Sequence, residues 1–459
     1  MTNKNIALLT DSYKVTHWKQ YPPGTETVYS YLEARNPHDF YPETCFFGLQ
    51  YTLKEYLEGE VITKVDVDEA EAFVADHLGD PSFFNRTGWD YIVSVHDGKL
   101  PVSIRAIPEG SIVPRGNVLM TVENTDPKCY WLTNHIESIL MHVWYGTTVA
   151  THGREIKGLL LNFLDLTGDP ETIDMKVHDF GLRGVSSMET AGVGGAAHLV
   201  NFKSTDNMAG AMLAKKYYKA KMAGYAIPAM EHNTVTAWGR AREGDAYANM
   251  LNKFPKGAIG IVVDSYDTRH AVASLLFEGL GGVVDGRDGV VYIRPDSGSP
   301  IGEAVNTMHM LENRYKTTKN AKGATIFDTT KVKILLHADN LDIMKAILSE
   351  FHRGGWSTDI FSFGLGASLL QNFNRDTLRF AYKTSSIKIN GEEQSVAKTT
   401  KDYWKASKMG RMKLIKDEGV MKTVIDTTKG EDLLVEVFRD GEILQEYTFD
   451  EVRDNAFIF

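Results

Sequence analysis

The sequence predicts an α/β protein. An irregular (β/α) barrel-like domain spans residues 151–385, and a second, discontinuous mixed α+β domain joins 1–150 to 386–459. Three observations carry this. From about residue 151 short apolar strands alternate with helical stretches, the texture of parallel βα units. The segments on either side read as β-rich, with Asp-Gly turns. Polar and glycine residues recur just past the ends of the alternating strands, where parallel barrels build their sites.

In chain order, residues 6–9 read as a short strand, and Thr10-Asp11-Ser12-Tyr13-Lys14 as a cap and helix start. Tyr13 there is either a surface aromatic or a ring free to meet a ligand. Residues 28–35 form a strand and 47–57 a helix. Residues 91–123 read as a β meander: YIVSV and LPVSIRA flank His96-Asp97-Gly98-Lys99, and Asp-Gly signals a hairpin. Further turns fall at Glu109-Gly110 and Arg115-Gly116-Asn117, and a helix over 129–148 leads away. In the alternating region strands end near His178, Ala229, Asp264, Arg294, His337 and Phe363. Helices start near Ser186, Thr234, Thr268, Pro300, Asn340 and Ala367. Residues 316–330 are a polar surface excursion. The last segment returns to β texture, with a hairpin at Asp440-Gly441. Residues 398–416 are rich in lysine and read either as a mobile basic loop or as a solvated charge run.

The chain is organised around residues 177–206. An apolar strand breaks at His178-Asp179-Phe180-Gly181-Leu182-Arg183-Gly184, and Ser186 with Glu189 reads as a capping box opening a small-residue helix. Phe180 suits stacking on a flat aromatic ligand, Arg183 suits phosphate, and Asp206 suits an amide N–H. Each alone is equally a core ring or a solvated loop residue. Three bracketing one capped helix favour a site.

Composition narrows the function. The chain has 459 residues, 43% apolar and 24% charged, ordinary for a globular protein of two or three domains. Its net charge of −10, from 50 basic and 60 acidic residues, argues against non-specific nucleic-acid binding. Cys45 and Cys129 have no metal-ligand spacing and make no disulfide framework, which fits a reducing cytoplasm. No signal peptide and no membrane span are expected.

Strand ends supply the chemistry. Ile227 to His232, Asp264, Arg294 with Asp296, Asp339, and Gly364 to Ser368 all follow strands. The small residues from Gly364 to Ser368, between strand and helix, suit a phosphate cradle of backbone N–H groups. Arg183 and Arg294 are further anion ligands. Asp264 and Asp296 suit ribose hydroxyls, or Mg²⁺ through its waters. His232 is either a donor or nucleophile toward a leaving phosphate or a satisfied loop histidine. No G-x-x-x-x-G-K-[ST] occurs, and the glycines at 192, 194 and 195 lie inside a helix. IVVDSYDT superficially matches the phosphoribosyl pyrophosphate loop of orotate-type transferases but lacks its paired acids and closing glycine.

Long dispersed segments resemble the nicotinamide phosphoribosyltransferases: TDSYKVTHWKQYPPGT, HDFGLRGVSS, MEHNTVTAWG, VDSYD, IRPDSG, LLQNFNRD and YTFDEVRDNA. The resemblance covers nearly the whole chain. It implies a barrel-like phosphoribosyltransferase domain, a pentosyltransferase that makes nicotinamide mononucleotide in NAD salvage, and a homodimer with shared active sites. By position it implies that Phe180 and the partner's Tyr13 sandwich the nicotinamide ring and that Asp206 binds the carboxamide. Arg183, His232 and Arg294 would hold pyrophosphate, with His232 also phosphorylated from ATP and supported by Asp264. Asp296 would hold ribose hydroxyls, and Asp339, Gly366 and Ala367 the 5′-phosphate. Arg375 and Lys383 would reach the phosphates from the other subunit. Mg²⁺ and ATP are the implied cofactor and co-substrate. The family commonly has glycine where Ala338, Ala367 and Ser368 stand, and hydroxyl residues where Ala226 and Ala381 stand; residues 386–410 align poorly. A nicotinate phosphoribosyltransferase of the same fold, or a non-catalytic binding scaffold, are the alternatives.

Overall fold

The computed structural model describes residues 4–35, 41–338, 340–398 and 406–457. Two sheets organise it. A six-stranded parallel sheet has the order Ser204–Thr205, Val177–Asp179, Phe361–Leu365, Val332–His337, Val291–Arg294, Ile259–Val262. Its inner strands are almost continuously buried, as parallel strands covered on both faces must be. The segment 225–229 joins its two edges: Tyr225 bridges Ser204, and Ala229 bridges Gly260. That near-closure curls the sheet into an irregular barrel. The strand expected to end at Ala229 shrinks to these bridges, because Pro228 has no N–H to donate and offers only its carbonyl, to the Gly260 N–H at 2.9 Å.

The second sheet has seven strands in the order Glu392–Ser395, Phe380–Ile389, Thr25–Ala34, Val118–Asn124, Val102–Ala106, Val435–Arg439, Glu442–Ile443. It therefore draws on both ends of the chain. The turn Asp440-Gly441 has φ of 49° and 84°, the left-handed pair that a two-residue hairpin needs. Two hydrophobic cores lie behind the sheets. The barrel's core also takes in Cys45, Phe47 and Tyr51, and Phe449, Val452 and Ala456 of the C-terminal helix Phe449–Asn455. Arg453 on that helix donates to the carbonyls of Leu199, Phe202 and Ala223.

Several expectations are corrected. Helix Val143–Thr167 runs through 150/151 and strand Phe380–Ile389 runs through 385/386, so both expected domain boundaries fall inside elements. Residues 6–9 are turn, and the following helix is a 3₁₀ helix, Ser12–Lys19. Residues 91–95 are not strand but the end of helix Arg86–Val95. Asn85 caps it, accepting from the Gly88 N–H at 3.1 Å, and Trp89 and Ile92, three apart, face the core. The helix expected over 129–148 is broken into Leu132–His135 and Glu137–Met141 before Val143–Thr167 begins. Within the lysine-rich stretch, Met412–Asp417 is a strand paired with Val420–Ile425, and residues 399–405 lie outside the described residues. Among the described residues no helix is long and apolar enough to cross a membrane.

Candidate active site

The parallel strands point their carboxyl ends at one pocket of about 670 Å³. Phe180 follows Val177–Asp179, Asp206 follows Ser204–Thr205, and Arg294 ends its strand with Asp296 two residues on. Gly364 lies within Phe361–Leu365, with Gly366 and Ala367 just beyond. With Arg183, these residues line the pocket. The curl of the sheet brings together groups more than a hundred residues apart in sequence.

The Phe180 ring is held on three sides. Its backbone N–H donates to Leu365 O at 2.8 Å. The His178 ring lies parallel to it, at 15° and 6.1 Å, and His178 Nδ1 meets Ser204 Oγ at 2.5 Å. The Arg294 guanidinium sits 5.4 Å from the ring centroid, a cation–π distance. Gly364 makes the remaining wall: a Cβ there would come within 2.6 Å of Phe180 Cε2.

Arg294 forks onto Asp296, with Nη2 to Oδ2 at 2.8 Å and Nε to Oδ1 at 3.3 Å. Burial pushes the Asp296 carboxyl up, but Arg294, with His337 and His232 nearby, holds it below the ordinary range. Asp206 is treated differently. Burial pushes it up to about 6, Arg294 only partly offsetting this and buried Asp179 adding to it. Its backbone N–H donates to Asp179 O at 3.0 Å. Next to it, fully buried Asn207 donates to Asp179 Oδ2 and to Ala191 O, so the loop carrying Asp206 is pinned to the neighbouring strand and helix.

At the rim, His232 Nε2 and Asp264 Oδ1 are 3.0 Å apart, and the Ser297 hydroxyl donates to Asp264 Oδ2 at 2.5 Å. The Asp264 carboxylate is 3% exposed while His232 is 43% exposed, so a buried anion orients an accessible imidazole. Arg183, 81% exposed, reaches Glu231 at 3.8 Å and is free to move onto an anion.

Not every expected residue joins this pocket. Tyr13 is 61% exposed on its 3₁₀ helix, against His17. Arg375 and Lys383 line a separate basin of about 450 Å³ with Arg35, Arg379 and Lys398. Asp339 lies outside the described residues. The helix expected to lend its dipole at Ala367 is a single turn, Ala367–Leu370, so a phosphate there would rely on backbone N–H groups rather than a macrodipole. The Ala367 Cβ also packs on Gly184, where an added Cβ would lie 2.7 Å from it. The capping box shifts by one residue. Ser187 accepts from the Thr190 N–H at 3.0 Å, while Glu189 turns away to accept from Tyr51 and Tyr56. Glu231 and His337 line the pocket without having been singled out as site residues. His337 ends a strand, the same signal that marks Arg294.

The donor set can bind a flat ring with an amide substituent against Phe180 and Asp206, and a phosphorylated group against Arg183, Arg294 and the Gly366 loop. Asp264 and Asp296 are already engaged by neighbouring donors. An all-oxygen cation such as Mg²⁺ fits there only through waters and a substrate's phosphates.

Residues 175–442 match the model of the nicotinate phosphoribosyltransferase (NAPRTase) family, and 5–104 match the nicotinamide phosphoribosyltransferase N-terminal domain. The chain is similar to the nicotinamide phosphoribosyltransferase of Xanthomonas campestris pv. campestris, with 42% identity covering 98% of each chain. It shares 28% identity with the nicotinamide phosphoribosyltransferase of Acinetobacter baylyi, over 96% of this chain and 95% of that one. Among solved structures, nicotinate-nucleotide pyrophosphorylase from Pyrococcus furiosus has the same fold, with a TM-score of 0.63 at 16% identity, over 99% of this chain and 94% of that one. Human nicotinic acid phosphoribosyltransferase follows at a TM-score of 0.57 and 16% identity, over 98% and 93% of the two chains. With a barrel whose strand ends present this set of ring, carboxylates and guanidinium, the chain belongs to the nicotinate phosphoribosyltransferase family, among its nicotinamide phosphoribosyltransferases.

Proposed function

We propose that this protein transfers the phosphoribosyl group of phosphoribosyl pyrophosphate to nicotinamide, making nicotinamide mononucleotide for NAD synthesis. The observation that carries this is the placement of a buried carboxylate, Asp206, on the same pocket wall as the Phe180 ring. A ring lying on Phe180 would present its amide to that carboxylate, and the carboxylate of nicotinic acid would be repelled there.

The pyridine nitrogen attacks C1 of the ribose with its lone pair, and the bond from C1 to the pyrophosphate oxygen breaks. The pyrophosphate leaves with that electron pair. The attacking nitrogen carries no proton, so no general base is required. The chain's contribution is positioning by Phe180 and Asp206, and stabilisation of the leaving group by Arg183, Arg294 and His232. Asp296, held ionised by Arg294, suits the ribose hydroxyls. Mg²⁺ would add charge neutralisation on the pyrophosphate, carried in with the substrate near Asp264 and Asp296.

Three finer elements belong to the same reading. His232 accepts a phosphoryl group from ATP, which stimulates turnover; its exposure beside buried Asp264 supports this. The active unit is a homodimer: Tyr13, Arg375 and Lys383 lie outside the pocket of their own chain and complete the partner's. The enzyme works in the cytoplasm, in keeping with its buried free thiols at Cys45 and Cys129.

The deciding experiment gives purified protein phosphoribosyl pyrophosphate, Mg²⁺ and equal nicotinamide and nicotinic acid, with and without ATP, and reads products by mass spectrometry. Nicotinamide mononucleotide as the product is expected. Nicotinic acid mononucleotide would keep the reaction and overturn the specificity.

A further inference from the structure

Outside the pocket, one cluster of metal-type donors stands apart among the described residues. His96, Asp126 and Cys129 each aim one ligand atom at a common point, with all three atoms within 4.8 Å of one another. None of them lines the transfer pocket. We infer that His96, Asp126 and Cys129 form a binding site for a divalent cation of the zinc class, joining helix Arg86–Val95 to the loop after strand Val118–Asn124.

The backbone around the cluster is well defined. His96 closes its helix, its N–H donating to Ile92 O at 3.0 Å, and the turn that follows holds Asp97 and Gly98 at positive φ. Asp126 uses Oδ1 to cap the 3₁₀ turn Pro127–Cys129, accepting from the Lys128 N–H at 2.8 Å. Its backbone carbonyl is fixed by the Asn124 amide at 2.8 Å. Only Oδ2 is left to face the cluster, where His96 Nε2 and the Tyr91 hydroxyl both lie 2.9 Å away. The capped turn sets Cys129 against the same oxygen.

The donor chemistry selects the metal. One imidazole nitrogen, one monodentate carboxylate oxygen and one sulfur suit a borderline cation, whereas Mg²⁺ and Ca²⁺ take oxygen. Bond lengths of about 2.0–2.3 Å in a tetrahedron put ligands roughly 3.3–3.8 Å apart, so the cluster needs only a small contraction. On binding, the hydrogen bond between His96 and Asp126 is exchanged for two metal bonds. The Cys129 thiol proton passes to solvent, and water or the Tyr91 oxygen takes the fourth position. The cation cross-links helix and loop in the antiparallel layer and takes no part in phosphoribosyl transfer.

The test uses full-length protein stripped with a chelator and titrated with Co²⁺, then Zn²⁺. One saturating equivalent of Co²⁺ per chain is expected, with a thiolate-to-cobalt charge-transfer band in the near ultraviolet that Zn²⁺ bleaches. Zn²⁺ should also raise the melting temperature. Cys129→Ser should abolish the band, Cys45→Ser should leave it, and His96→Ala should weaken Co²⁺ binding about tenfold or more. A wild-type protein with no saturable cobalt band overturns the site, as does a band that survives Cys129→Ser. If Cys129→Ser does not fold, His96→Ala decides, and unchanged affinity there is equally fatal.

Discussion

The Phe180 ring lies on the bare backbone of Gly364: a methyl group added at Gly364 would sit 2.6 Å from ring atom Cε2 and 2.9 Å from Cδ2. No side chain larger than hydrogen fits between strand and ring. The platform proposed for the base thus depends on a glycine in the neighbouring strand, which the chain reaches 184 residues later.

Gly364→Ala should therefore push Phe180 off His178 and into the pocket. Overpacking of this kind costs about 1–3 kcal/mol. The expected signature is a several-fold rise in KM for nicotinamide with a smaller change in KM for phosphoribosyl pyrophosphate. Steady-state kinetics and a melting curve on the same preparation check it; equal changes in both KM values would point to general loosening instead.

Asp206 carries the pH dependence. Its carboxyl titrates at about 6, raised by burial, so it is an anion above that pH and neutral below it. Nicotinic acid stays ionised across this window. As pH falls from about 7.5 to about 5.5, repulsion of nicotinic acid fades, and its kcat/KM relative to nicotinamide should climb. Asp206→Asn should start with the higher relative use of nicotinic acid and show a flat ratio over the same range. A wild-type ratio that does not move with pH would remove Asp206 from the specificity argument.

Asp264 is shared between His232 and Ser297. His232→Ala should abolish stimulation by ATP, measured as the ratio of rates with and without the nucleotide. Ser297→Ala leaves one oxygen of a buried carboxylate without its donor, a loss worth about 1–3 kcal/mol. It should reduce that ratio less severely, and Ser297→Thr should restore it. Intact stimulation in His232→Ala would end the phosphoryl-acceptor role.

Shared active sites make a sharper prediction. Phe180→Ala and Lys383→Ala should each cripple the enzyme by damaging different walls of the same composite site. Dimers mixed from the two variants carry one site with both lesions and one with neither. Activity should therefore reappear on mixing and subunit exchange. Continued inactivity of demonstrably mixed dimers would place both residues in sites built from a single chain.

Much of the site was legible before the fold. Arg294, Asp264 and Gly366 stand just past apolar runs, and a parallel strand that ends at a barrel's mouth exposes whatever follows it. The hairpin at Asp440-Gly441 was equally plain, since few dipeptides tolerate two left-handed residues. Local patterns failed where tertiary packing outweighed them. YIVSV looks like a strand by its β-branched residues, yet Trp89 and Ile92 bury one helical face and Asn85 caps it. The expected capping box failed because Glu189 meets two phenols from a distant helix, a partner choice that spacing along the chain cannot show.

The sequence alone determined the alternation of strand and helix, and with it the barrel, because burial on both faces demands short apolar runs and polar ends. It also determined which residue types stand at the mouth. Only the tertiary structure decided which of them meet. The curl of the sheet puts Phe180 on Gly364, forks Arg294 onto Asp296 and raises Asp206 by burial, while leaving Tyr13, Arg375 and Lys383 outside the pocket. Contact and desolvation depend on distances through space, and those follow from how the two sheets pack rather than from any local run of residues.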